Sequence, residues 1–252
     1  FLKKILRSSL SDLYCKGIKP ESYFLSLSLN KKIATHAWFK KISQILRSEQ
    51  KKFKITLVGG DTTKSTKLTA TIVVLGFSKK KPILRSSCNN NDDIYVTGNL
   101  CDSYIGLKIL KKKHNFGYLN KYFVKKYYEP NLPIRIVPYL HEIASASIDI
   151  SDGLAQDLNH ITSISNYGAI VNLNSIPVST NCKILIDKGK LDIKDIFSRG
   201  DDYQILFTAK PKNYLKIINL SRKKNIKITK IGTVNKTKNI LFKHNNVKFR
   251  LI

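Results

Sequence analysis

The chain has 252 residues, 42% hydrophobic and 25% charged, a globular composition that excludes disorder along its whole length. It contains no run of about 18 apolar residues and so no membrane-spanning helix, and its N-terminus, FLKKILRSSLSDLYCKG, is too polar for a signal peptide. Lys and Arg number 45 against 17 Asp and Glu, a net charge of +28. Such a field attracts polyanions, so a basic nucleic-acid-binding protein is one reading. Against it, the positive charge is mostly Lys rather than the bidentate Arg. The Lys runs 79–81, 111–113 and 223–224 lie at expected element ends, with no aromatics interleaved for base stacking.

Apolar residues at 2, 5, 6, 10, 13 and 14 have helical spacing, which Gly17 and Pro20 close. Residues 22–29 alternate as a half-buried strand. Thr35 caps a helix to about Gln50, with Ala37, Trp38, Ile42 and Ile45 on its inner face. A strand at 54–58 runs into the turn Gly59-Gly60-Asp61-Thr62-Thr63, and another strand covers 68–77. The polar segment 79–93 reads as a linker, dividing the chain into units 1–78 and 79–252. Beyond it come a strand at 94–97, helices at about 102–113 and 120–128, and a helix after Pro133. A strand at 145–150 leads into a helix ending near 165. Further strands are expected at 169–173, 204–208, 226–232 and 239–243, and helices near 180–188 and 211–223. The pattern fits an α/β (α+β) fold of mixed sheets with helices packed on one face.

The acids carry more chemistry than the bases. Asp pairs concentrate at 92–93, 149 and 152, and 201–202, and short rigid carboxylates suit Mg²⁺. Asp149 stands inside an otherwise apolar strand, where a charge is costly without a partner or a cation. Ser147 and Ser151 alternate onto the same face, and Asp152 at a helix start could equally be an N-cap. Gly60 and Asp61 follow a strand where backbone amides could meet a phosphate, although a Gly-Gly-Asp turn between two strands explains them equally well. Asp201 follows Gly200 in another turn, and Asp12 sits on the first helix. The five His residues have no ligand spacing and read as ordinary helix or loop residues. Cys15, Cys88, Cys101 and Cys182 form no CxxC pair and read as the unpaired thiols of a cytoplasmic protein. The residues support no Ser- or Cys-based triad.

Six strings stand in order: SLSDLYCKGIKP, LVGGDTT, ILRSSCNNNDDIYVTGNLCDSYIGL, IDISDGLAQDLNHI, GDDYQILFT and IGTV. Together they resemble the bacterial thiamine-monophosphate kinase family over essentially the whole chain. That family shares a two-domain fold with aminoimidazole ribonucleotide synthetase and selenophosphate synthetase. The resemblance implies a partial N-terminal domain (1–78) that binds ATP and Mg²⁺ and pairs in a homodimer, and a C-terminal α/β domain (79–252). It implies that Asp12, Asp61 and Asp149 hold Mg²⁺ on the ATP phosphates, with Asp152 holding a further ion near the acceptor. Gly60, Asp61, Arg85 and Ser151 would contact ATP, and Asp201 would contact thiamine monophosphate. The implied reaction moves the γ-phosphoryl group of ATP to thiamine monophosphate, giving thiamine diphosphate and ADP. No covalent nucleophile is needed; several cations and an Arg offset the repulsion of two polyanions.

Some features depart from the family pattern. There is no Met, and the chain opens on Phe1 inside a helical pattern, so residues are expected upstream. Upstream of the first helix the family has metal-binding Gly-Asp-Asp and Ser/Thr-Thr-Asp motifs; neither stands before that helix in this sequence, and Gly200-Asp201-Asp202 belongs to the later GDDYQILFT string. Arg199-Gly200-Asp201 replaces Gly-Gly-Glu, and the family's C-terminal aromatic would follow VKFRLI, where the chain stops at Ile252. The segment alone is therefore expected to turn over little or nothing. Other readings are another ATP-dependent enzyme of the same fold, an inactive fragment, and the nucleic-acid-binding protein.

Overall fold

The computed structural model describes residues 1–244 with their side chains and the backbone of strand Val247–Arg250; Leu251 and Ile252, the end of the expected VKFRLI strand, lie outside the described residues. Helix α1 (Leu2–Tyr14) presents Leu2, Leu6, Leu10 and Tyr14 at helical spacing, all buried. Strand β1 (Pro20–Leu29) alternates as expected, burying Tyr23, Leu25, Leu27 and Leu29. Helix α2 (His36–Phe53) starts where the Thr35 hydroxyl accepts the Trp38 amide and ends at left-handed Lys54. Its inner face is Ile42, Leu46, Glu49 and Phe53, with Trp38 and Ile45 at the margin. Ala37 is exposed, contrary to expectation, because the first turn runs past the edge of the core.

Strand β2 (Thr56–Lys64) corrects the expected turn at 59–63. The Gly-Gly-Asp segment continues as strand, parallel to β1, and β3 (Thr69–Gly76) pairs antiparallel with the other side of β1. The sheet order is β2-β1-β3, so β2 and β3 flank β1 and do not pair with each other. Gly60 permits this pairing. Its φ is +152°, and a Cβ there would lie 1.8 Å from the Leu25 carbonyl oxygen. Helices α1 and α2 cover one face of the sheet; the other carries Phe24, Val73 and Leu75, each at least 41% exposed.

The second sheet has seven strands in the order β10-β9-β6-β8-β4-β7-β5. In chain order its elements are β4 (Asp93–Thr97), α3 (Asp102–Leu110), α4 (Asn120–Tyr128), α5 (Val137–Ile143), β5 (Ala146–Asp149), α6 (Leu154–Ile164) and β6 (Gly168–Asn172). Then follow α7 (Thr180–Asp187), α8 (Ile193–Ser198), β7 (Ile205–Ala209), α9 (Tyr214–Lys224), β8 (Ile228–Asn235), β9 (Ile240–His244) and β10 (Val247–Arg250). Among the described residues of this sheet only β6 and β9 pair in parallel, so the sheet is mixed. Helix α3 ends at Leu110, short of the expected Lys113, as Lys112 turns left-handed. Helix α8 was not legible: it has six residues, capped by the Asp192 carboxylate on the Lys194 amide.

This larger sheet is buried on both faces. Ile94, Val96 and Leu206 join α3, α4 and α6 in one apolar cluster, while Tyr95, Ile205 and Phe207 join α1, α5, α9 and the smaller sheet in the other. A strand covered on both sides buries both of its faces, and all five residues of β4 are buried, with the polar Asp93 and Thr97 at its two ends. Arg7 locks α1 to α2: its Nε and Nη2 donate to the two Glu49 oxygens at 2.7 Å, and Nη1 donates to the Pro130 carbonyl at 3.1 Å. Both ion partners are almost fully buried, so neither can lose the other cheaply.

Candidate active site

The first sheet packs through α1 onto the second, and this brings two expected residues together across the sequence. The Ser11 hydroxyl on α1 donates to Asp149 Oδ2 at the end of β5, at 2.6 Å. Its neighbour Asp12 lines a cavity of about 620 Å³ together with Arg85, Asp149, Ser151 and Asp152. Five of the eight expected site residues thus share one hollow. In a chain of +28, this cavity holds four carboxylates (Asp12, Asp149, Asp152, Asp157) against Lys16 and Arg85.

Burial makes those carboxylates expensive. Asp149 is 5% exposed, and desolvation pushes its pKa up to about 6; the Ser11 hydrogen bond opposes the rise and nearby Asp12 adds to it. Desolvation also raises Asp12, with Lys16 pulling it down. The strand ends at Asp149, two residues before Ser151, yet Ser147, Asp149 and Ser151 all line the cavity.

The turn after β5 is held by a residue the sequence reading passed over. Asp157 Oδ2 accepts the backbone amides of Ser151, Asp152 and Gly153 at 3.0–3.1 Å. Burial pushes this carboxyl up to about 7, with the charges of Asp152 and Asp149 adding to the rise and the amides opposing it. Asp157 stands one turn into α6, where a carboxylate reaches back to free amides; that position was the available signal. His160, read as an ordinary helix residue, lies close to Asp152 and Asp157.

Asp201 is placed beside the cavity rather than in its wall. Gly200 packs against the Ser151–Asp152 backbone, where a Cβ would meet the Ser151 carbonyl at 2.0 Å, and the Asp201 amide donates to that same oxygen. The Asp201 side chain pairs with Lys4 at 2.7 Å and accepts the Tyr203 hydroxyl at 3.0 Å. The Lys4 ammonium also lies 4.2 Å from the Tyr127 ring centre and 4.7 Å from that of Tyr203. Burial lowers the Lys4 pKa, opposed by Asp201. Its neighbour Asp202 turns inward and accepts the Cys101 amide at 2.7 Å, at the start of α3.

Gly60 and Asp61 are not in the cavity wall. Asp61 is exposed on β2, opposite Ser26 and on the same face as Phe24 and Val73, with its carboxylate accepting the Thr62 amide at 2.7 Å. The pair Asp92 and Asp93 is structural: Asp92 accepts the Asn89 amide, and Asp93 pairs with Lys230. All four Cys are buried and free.

The family described as AIR synthase related protein, N-terminal domain, matches residues 3–78. The thiamine-monophosphate kinase of Buchnera aphidicola subsp. Schizaphis graminum is 40% identical over 237 residues, 92% of this chain and 71% of that protein. That of Haemophilus influenzae is 35% identical over 92% of this chain and 70% of its own length. Among solved structures, thiamine-monophosphate kinase from Stenotrophomonas maltophilia superposes with a TM-score of 0.86 at 25% identity, covering 96% of this chain and 78% of that one. A further fold match is AaThiL complexed with AMPPCP and TMP, at TM-score 0.84 and 23% identity, covering all of this chain and 82% of that one. With two relatives above 30% identity matched over more than two thirds of their length, the chain belongs to the thiamine-monophosphate kinase family.

Proposed function

We propose that the chain is a Mg²⁺-dependent kinase that transfers the γ-phosphoryl group of ATP to thiamine monophosphate, giving thiamine diphosphate and ADP. The observation that carries this reading is the joining of Asp12 and Asp149 in one acidic hollow, with Asp149 buried and contacted by a neutral hydroxyl. Carboxylates desolvated in this way fit a hard cation, which would offset their repulsion. Asp12 and Asp149 would hold Mg²⁺ on the nucleotide side and Asp152 on the acceptor side. Bound Mg²⁺ would supply positive charge against the polyphosphate oxygens.

The chain's own residues position and neutralise. Arg85, exposed on the cavity rim, and the Ser151 hydroxyl would bind nucleotide phosphates. An acceptor phosphate oxygen attacks the γ-phosphorus in line, forming a new P–O bond as the bond to the β-bridging oxygen breaks, and ADP leaves with that electron pair. Asp201, locked against the Ser151 turn, would meet the thiamine end of the acceptor.

Residues 1–78 serve as the nucleotide-side and pairing unit, and 79–252 as the second unit. Pairing through the bare face of the β2-β1-β3 sheet would make a homodimer and bury Phe24, Val73 and Leu75. Gly60 and Asp61 stand on β2 of that sheet and would reach ATP from it. The four unpaired thiols suit the cytoplasm.

Thermal unfolding with Mg²⁺ and a non-hydrolysable ATP analogue tests the reading. Thiamine monophosphate at about 100 times its Kd should add about 2.7 kcal/mol, or roughly 5–11 °C in Tm. Asp149→Asn should lose most of that rise while its ligand-free transition stays cooperative. No response to thiamine monophosphate in the unmodified chain would sink the substrate reading.

A further inference from the structure

Helix α6 carries Asp157 and His160 three residues apart, on one face. Asp152 precedes the helix, and the turn that Asp157 clamps folds it back toward them. One ligand atom from each of the three side chains lies within 4.8 Å of the others. Three amides occupy Asp157 Oδ2, leaving Oδ1, and Gln156 Nε2 donates to Asp152 Oδ2 at 3.2 Å. Among the described residues, the His160 ring has no hydrogen-bond partner. A separate sign in the same cavity wall is Ser147, 1% exposed, whose hydroxyl is buried with no partner. A buried hydroxyl left open is costly unless a ligand or water completes it.

We propose that Asp152, Asp157 and His160 form a mixed nitrogen–oxygen site for a first-row divalent cation such as Mn²⁺, so that the acceptor-side ion has an imidazole ligand. The inference rests on the cation role given above to Asp152 and extends it to two residues outside that reading. An oxygen-only set suits Mg²⁺, whereas an imidazole shifts preference toward Mn²⁺, Co²⁺ or Zn²⁺. The site therefore differs in kind from the Asp12 and Asp149 position, which offers oxygen alone.

The test is Mn²⁺ binding to the full chain, followed by electron paramagnetic resonance with electron spin echo modulation. Bound Mn²⁺ should show ¹⁴N modulation from a coordinated imidazole. His160→Gln should abolish that modulation and weaken one Mn²⁺ at least tenfold. Asp152→Asn, an exposed position, should weaken the same ion without altering the fold. Mn²⁺ bound without ¹⁴N modulation, or modulation that survives in His160→Gln, overturns the inference and leaves the kinase reading standing. No bound Mn²⁺ overturns both this site and the cation role of Asp152. A ¹⁴N signal lost in His160→Gln, in a chain that ignores thiamine monophosphate, supports the metal site and refutes only the substrate.

Discussion

Replacing Asp202 with Asn would remove a group whose ionisation the fold opposes. Asp202 is 5% exposed, and its carboxyl is raised from 3.8 to about 8, chiefly by burial, with Asp102 adding to the rise and the Cys101 and Ser103 amides opposing it. Its folded pKa lies above its unfolded one, so between these values the folded state binds more protons. The stability it contributes is complete below pH 3.8 and is lost as pH rises through about 8. One proton gives a slope of about 1.4 kcal/mol per pH unit, so from pH 5 to pH 7 the loss is about 2.7 kcal/mol. For a chain of this size that is roughly 5–11 °C in Tm. Asn still offers an oxygen to the Cys101 amide and cannot ionise, so Asp202→Asn should gain on the parent by that amount between the two pH values. Calorimetry of both proteins at pH 5, 6 and 7 and equal ionic strength isolates the effect, because the titrating groups that do not interact with Asp202 cancel between them. A Tm difference that stays constant with pH would refute the reasoning.

Two further substitutions probe the frame around the site. Glu49→Ala strands the buried Arg7 guanidinium and should cost about 3–5 kcal/mol in urea unfolding; a loss below about 1 kcal/mol would mean that the pair is solvated. Gly60→Ala places a methyl group 1.8 Å from the Leu25 carbonyl oxygen, at a φ that L-residues rarely adopt. It should cost about 2 kcal/mol or more by parting β2 from β1. Hydrogen exchange would show this as faster exchange confined to the β1–β2 ladder, and unchanged protection there would count against the close approach.

The parts of the site that could be read from sequence are those with a local signature. Asp149 stood out because a charge in an apolar strand demands a reason, and the structure answers with a cavity. Strand β1 followed from alternation and α1 from the spacing of its apolar residues. The Ser11–Asp149 bond spans 138 residues and depends on how α1 docks on the second sheet, which no local pattern encodes. The Gly-Gly-Asp segment looked like a turn because two glycines weaken a strand, yet one of them is there to admit a neighbouring carbonyl. Asp61 shows the same limit: its chemistry is plain in the sequence, but its distance from the cavity wall depends on sheet packing. Asp157 and His160 had a readable i, i+3 spacing and were missed because an acid near a helix start has an ordinary explanation.

The bare face of the β2-β1-β3 sheet, with the outer edge of β2 unpaired, also bears on how the protein behaves in solution. Two copies meeting through that sheet must bring +28 against +28, so dilute buffer holds them apart over a Debye length of about 30 Å. At cellular ionic strength the repulsion reaches only about 8 Å, and the apolar face and unpaired strand edge come within range of each other. Salt, which loosens most lysine-rich assemblies, would here tighten the proposed pairing of two copies.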